Sequence, residues 1–266
     1  MHHQRIQLPH CHMDTYIPTL KTAPGMKRPS IVICPGGGYQ HLSDREAEPV
    51  ALVFAAMGFN AYVVWYRLAP NRHPAPLHDV AAAVAWVRAH AEEYAADPDA
   101  IAVAGFSAGG HAAGSLGVYW HDAALMAQAG LTPEQARPNA MALCYPVITG
   151  GEFAHRGSFV NLTGSDDMAV HERYSLDRHV TAQTPPTFLW HTFEDGAVPV
   201  ENTLLMASAL RRNGAMTEVH IFPHGGHGLA LAMPLTSTSP EQNIPECAQW
   251  PEMAARFLRD AMSIRL

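Results

Sequence analysis

The strongest constraint on this chain is an alternation along its length. Short apolar runs bounded by turn residues take turns with longer segments of helical periodicity. The runs at 30–34 (SIVIC), 60–66 (NAYVVWY) and 100–105 (AIAVAG) read as buried strands. Between them, 43–58 and 75–94 read as helices, the first opening with Ser43 and Glu46 at the spacing of a capping box. The pattern continues with a helix after Ser107, strands at 141–146, 186–191 and 217–222, and helices at 200–214 and 251–262. Such alternation predicts an α/β fold, a mostly parallel twisted sheet with helices on both faces. The stretch 150–184 breaks the rhythm. It is polar, carries charge clusters, offers only a weak helix around 168–176, and reads as a small insertion or cap over one end of the sheet.

At 266 residues and 48% hydrophobic, the chain has the size and apolar content of a single α/β domain over 1–266. Its formal net charge of -7, from 17 Lys+Arg against 24 Asp+Glu, and the absence of a basic run argue against nucleic acid as a partner. The opening MHHQRIQLPHCH does not read as a secretory signal, and no apolar run is long enough to span a bilayer. A soluble, cytoplasmic protein is therefore expected, with no membrane partner, while homo-oligomer formation stays open. The four cysteines lie far apart, and reduced, buried thiols are expected. His10 and His12 around Cys11 read as a terminal segment or first strand rather than a metal site, and Asn161-Leu162-Thr163 as an unmodified glycosylation match.

In an open α/β sheet, ligands bind beyond the carboxyl ends of the strands, so residues just after strands carry the chemistry. After SIVIC comes PGGGY (35–39), whose glycines allow backbone N–H groups to approach a substrate. After AIAVA comes Gly105-Phe106-Ser107-Ala108-Gly109, a Gly-x-Ser-x-Gly match between a strand and a helix. Glu194 and Asp195 follow the strand at 186–191, and His224 and His227 follow that at 217–222. A serine hydroxyl needs a histidine to accept its proton and an acid to orient that histidine, and here the order is Ser, acid, His. Asp195 is preferred over Glu194 and His227 over His224, because His227 lies deeper in a glycine-flanked loop. His111, His191 and His220 read as core or support residues. The N–H of Ala108, with those of the glycine loop, is placed to hold an oxyanion. No pair of carboxylates reads as a glycosidase site.

At these residues the chain resembles the α/β-hydrolase superfamily, and within it the esterase/lipase branch of acetyl xylan esterases and feruloyl-esterase-like (BD-FAE-type) bacterial hydrolases. The likeness runs from ICPGGGY and DREAEPVA, through IAVAGFSAGGH and PPTFLWHTFEDGAVPVENTLLMASALRRNG, to EVHIFPHGGHG. It implies Ser107 as nucleophile, Asp195 as orienting acid and His227 as base, with the N–H groups of Gly37, Gly38 and Ala108 as the oxyanion hole. It also implies deacylation of small or carbohydrate-linked esters without a cofactor or metal, the partner being a small-molecule or oligosaccharide ester. One departure is Pro35, where many members carry histidine; it implies a different brace for the glycine loop. The rival readings are a serine peptidase of the prolyl-oligopeptidase type and a binding protein on a hydrolase scaffold.

Overall fold

The computed structural model describes residues 1–20 and 26–264. Its sheet contains β1 (Arg5–Gln7), β2 (His12–Tyr16), β3 (Arg28–Cys34), β4 (Asn60–Trp65), β5 (Ala96–Phe106), β6 (Ala140–Cys144), β7 (Thr187–Thr192) and β8 (Thr217–Phe222). The spatial order is β1-β2-β4-β3-β5-β6-β7-β8. β1 and β2 run antiparallel, and every pair from β4 to β8 is parallel. The N-terminal strands, the first only three residues long, are poorly marked in the sequence. There Cys11 turns into the core while the ring of His12 stacks on Trp65.

The central strands are buried on both faces, and their alternate residues enter two separate cores. Val32, Val103 and Leu143 point to one side, with α2 (Ala75–Ala89), α3 (Ala108–Tyr119) and α8 (Glu201–Arg212) packed over them. Ile33, Ala104 and Trp190 point to the other, under α1 (Glu48–Ala56) and α9 (Trp250–Ala261). The short α4 (Ala123–Ala127) and α5 (Pro133–Ala136) link α3 to β6, and α6 (Arg156–Thr163) and α7 (Met168–Glu172) lie in the arrhythmic stretch before β7. Among the described residues, no helix is long and apolar enough to cross a membrane. All four cysteines are unpaired and buried, and burial pushes the Cys11 and Cys247 thiols up to about 12.

Two expectations about helix ends are corrected. The first helix begins at Glu48 rather than Ser43, and Ser43 makes no side-chain capping bond. Asp44–Glu46 form a 3-10 turn, because the Glu46 carboxylate is drawn inward to other partners and cannot reach back to cap. The second helix stops at Ala89 instead of continuing to 94. His90 lies flat on Trp86, with ring centroids 3.9 Å apart, and its Nδ1 lies 2.8 Å from the Trp86 carbonyl.

The connection leaving β3 runs to β4 on one side, and the connection leaving β5 runs to β6 on the other, so the carboxyl ends of β3 and β5 flank a crevice. β6, β7 and β8 then bring their own carboxyl ends to the same rim, side by side. Five loops that are distant in sequence therefore share one edge of the sheet.

Candidate active site

Ser107 sits where β5 turns sharply into α3, at φ 54 and ψ −121. A non-glycine residue there costs about 1–3 kcal/mol, which the surroundings must offset. They do so by clamping its backbone: Ser107 N–H donates to Cys144 O at 3.1 Å, and its carbonyl accepts from Val147 N–H at 3.0 Å. The glycine two residues on is required by close approach, since a Cβ at Gly109 would collide with the carbonyl oxygens of Cys34 and Pro35. A sharp turn with no bulk beside it leaves the hydroxyl standing above the strand ends.

That hydroxyl lies 2.7 Å from His227 Nε2, and His227 Nδ1 lies 2.6 Å from Asp195 Oδ2. A carboxylate only accepts, so Nδ1 carries the proton, and Nε2 presents a lone pair to the serine. Asp195, 6% exposed, is held from four directions. Oδ1 accepts from the N–H groups of Ala197 and Val198, and Oδ2 also takes the Nε2–H of His191 at 3.1 Å. Burial opposes its ionisation, yet the hydrogen bonds from His191 and His227 outweigh burial and hold its pKa well below the usual carboxylate value. His191, a core or support residue by its sequence position, makes a contact with Asp195 that is not visible in the spacing. Its Nδ1 lies 2.8 Å from the Thr203 hydroxyl, which fixes the tautomer that donates to the acid.

The rival residues pair with one another away from this group. His224 Nδ1 lies 2.9 Å from Glu194 Oε1 at the exposed surface, and His220 pairs with Glu218 on β8. His111 is enclosed: its Nε2 donates to Tyr174 O and its Nδ1 accepts from Tyr39 OH, both at 2.9 Å. Burial lowers its pKa to about 4, so it stays neutral near pH 7.

The glycine loop bends over the serine with φ +131 at Gly37 and +65 at Gly38. Gly36 N–H is already engaged, donating to Glu46 Oε2 at 2.8 Å. Those of Gly37, Gly38 and Ala108 have no acceptor among the described residues. Three donors are therefore free around the Ser107 hydroxyl, the last at the start of α3 where the helix field favours an anion. The loop's brace, expected to be unusual because of Pro35, comes from two sides: Tyr66 OH donates to Pro35 O at 2.6 Å, and Glu46 holds Gly36.

Glu46 is the residue that sequence reasoning misses, since its spacing from Ser43 is that of local helix capping. Its carboxylate, 3% exposed, also accepts from Tyr145 OH at 2.7 Å. That hydroxyl in turn accepts from Ala230 N–H at 2.9 Å, three residues beyond His227, while the Tyr145 ring packs edge-on against the His227 imidazole. One buried strut thus ties the glycine loop to the histidine loop. Glu46→Ala is expected to lower kcat/KM for an ester about 10- to 100-fold, less than the 10²–10³-fold loss typical of removing a direct oxyanion donor. Most of the loss should fall in kcat. Glu46→Gln, which keeps an acceptor for Gly36, should recover part of it; steady-state kinetics on folded variants measures both.

The cleft above these groups has a volume of about 300 Å³ and is lined by Gly37, Gly38, Gln40, His41, His155, Ser107 and His227, among others. The stretch 150–184 contributes through α6, whose Asn161 Nδ2–H donates to Gly38 O at 2.9 Å. Among the described residues, no three His, Cys, Asp or Glu side chains group as a metal site.

Comparison with known proteins bears on this rim directly. A family model described as BD-FAE matches residues 13–145, which include the glycine loop and the serine turn. Endo-1,4-beta-xylanase B of Butyrivibrio fibrisolvens is 38% identical over 216 residues, covering 78% of this chain and 33% of that protein. An acetylxylan esterase of Xylanibacter ruminicola is 32% identical over 209 residues, covering 76% of this chain and 41% of that one. This chain thus spans between a third and about two fifths of the length of these curated relatives. The crystal structure of an acetyl ester-xyloside bifunctional hydrolase from Caldicellulosiruptor lactoaceticus superposes with a TM-score of 0.80 at 38% identity, over 96% of this chain and 89% of that one. Its sheet, its serine turn and these likenesses agree, and the chain belongs to the BD-FAE family of α/β hydrolases.

Proposed function

We propose that the protein is a serine carboxylic ester hydrolase that works through an acyl-enzyme and removes acetyl or similarly short acyl groups from small or carbohydrate-linked alcohols. The observation that carries this reading is the unbroken chain of short hydrogen bonds from Ser107 through His227 to Asp195, opening into a cleft beside three unengaged N–H groups. Ser107 Oγ attacks the ester carbonyl while its proton passes to His227 Nε2. The negative charge that develops on the carbonyl oxygen is met by the N–H groups of Gly37, Gly38 and Ala108. Asp195 keeps the imidazole in the accepting tautomer and stabilises the imidazolium. The C–O bond then breaks, and the alcohol leaves with the proton from His227. Water, deprotonated by the same nitrogen, releases the acid and restores the serine. Side chains and backbone handle every proton and charge, so the scheme calls on no cofactor or metal.

The named relatives support the alcohol class: one is an acetylxylan esterase and another an acetyl ester-xyloside hydrolase. The cleft supports a short acyl group, because about 300 Å³ lined by Gln40, His41, Ser43 and Arg45 offers little apolar surface to a long chain. An ester panel tests the reading. Acetate release from p-nitrophenyl acetate and from acetylated xylo-oligosaccharides is expected, with kcat/KM for the octanoate ester no higher than for the acetate, since methylenes the cleft leaves uncovered gain no transfer energy. Faster turnover of an aminoacyl p-nitroanilide than of any ester would instead favour the peptidase reading.

A further inference from the structure

We propose that His155 selects the alcohol part of the substrate by donating a hydrogen bond from its Nε2–H into the cleft. This rests on the hydrolase reading above. His155 precedes α6 and caps it: Ser158 N–H donates to His155 Nδ1 at 3.3 Å, and the Ser158 hydroxyl lies 2.8 Å from the same nitrogen. A nitrogen that accepts a backbone N–H carries no proton of its own, so the ring's single proton sits on Nε2. Burial, reinforced by nearby His227, lowers the His155 pKa below the ordinary histidine value and keeps the ring neutral at pH 7. Nε2 makes no hydrogen bond among the described residues, and the half-buried ring lines the same cleft as Ser107 and His227.

The cap therefore has a second effect besides ending the helix, because it aims a fixed donor at whatever occupies the cleft. α6 is itself anchored over the glycine loop by Asn161, so this donor is held in register with the scissile carbonyl. The nearest chemistry that uses a neutral donor is a hydroxyl or ring oxygen of a polyol, and the neighbouring Gln40, His41 and Arg45 suit the same kind of ligand. His155 is the one member of the 150–184 stretch that lines this cleft, so the irregular segment acts on specificity through a single side chain.

His155→Asn separates the two effects, since asparagine is a good N-cap but too short to carry the Nε2 donor to the cleft. kcat/KM is measured for an acetylated methyl xyloside and for phenyl acetate, whose alcohol part carries no acceptor beyond the scissile ester. The expected result is a five- to tenfold loss, about one neutral hydrogen bond, on the xyloside ester, with phenyl acetate within twofold of wild type and the thermal midpoint little changed. Equal losses on both esters, or no loss on either, overturn the assignment. A wild type that hydrolyses phenyl acetate but not the xyloside ester also overturns it. A wild type inactive on both esters instead contradicts the hydrolase reading, and the proposal with it.

Discussion

Ser107→Ala is expected to reduce ester hydrolysis by about 10⁵–10⁶-fold while the fold survives, the size of loss seen when a serine nucleophile is removed from a working relay. The expectation is that large because nothing else at the rim can replace the hydroxyl. The four cysteines are buried, and the thiols of Cys34 and Cys144, which end the neighbouring strands, are raised by burial far from ionisation. The fold should survive because the side chain's hydrogen bond is to His227 alone among the described residues. The strained φ of 54 is tolerated by alanine no worse than by serine, and the backbone clamps to Cys144 and Val147 are untouched. Hydrolysis of p-nitrophenyl acetate, compared with the thermal midpoint, reads both halves of the expectation.

Asp195→Asn is expected to cost about 10⁴-fold in kcat, by a different route. The new amide oxygen can still accept from Ala197 and Val198, which turns its NH₂ group toward His227. Facing a donor, the imidazole moves its proton to Nε2, and the nitrogen beside Ser107 can no longer take one. The same substitution sets the His191 Nε2–H against a donor, although Val198 O at 2.9 Å still receives it. The folded-state pKa of Asp195 is depressed, so its stabilising effect is complete above the usual carboxylate range and lost as pH falls through the folded value. The thermal midpoint of the variant should thus lie below wild type near neutral pH, by the equivalent of about 1–3 kcal/mol, with the gap narrowing in strong acid.

The parts of this site readable in the sequence are those that topology decides. In a parallel sheet each strand's carboxyl end reaches one rim, so a glycine loop, a serine turn, an acid and a histidine that each follow a strand are brought together whatever their separation. Ser107, Asp195 and His227 meet for that reason. The parts that could not be read depend on which partner a polar group finds. Glu46 has the spacing of a helix cap, and two buried donors just beyond the ends of β3 and β6, Gly36 N–H and Tyr145 OH, outcompete the local one. His191 sits in a strand whose apolar neighbours suggest plain core, and only the return of the chain through Asp195 and Val198 shows what its ring holds. His155 carries no motif, since a histidine cap is an uncommon choice and its donor gains meaning only from the cleft beside it. At the N terminus, a three-residue strand offers too few alternations to register.

The central claim is that the Ser107 hydroxyl is made nucleophilic by His227, and a small fluorophosphonate tests it most directly because it phosphonylates an activated serine. Intact mass followed by peptide mapping should show one adduct per chain, on the peptide carrying Ser107, and its formation should fall by orders of magnitude in His227→Ala. A folded wild-type protein that stays unlabelled, or an adduct at another residue, contradicts the account.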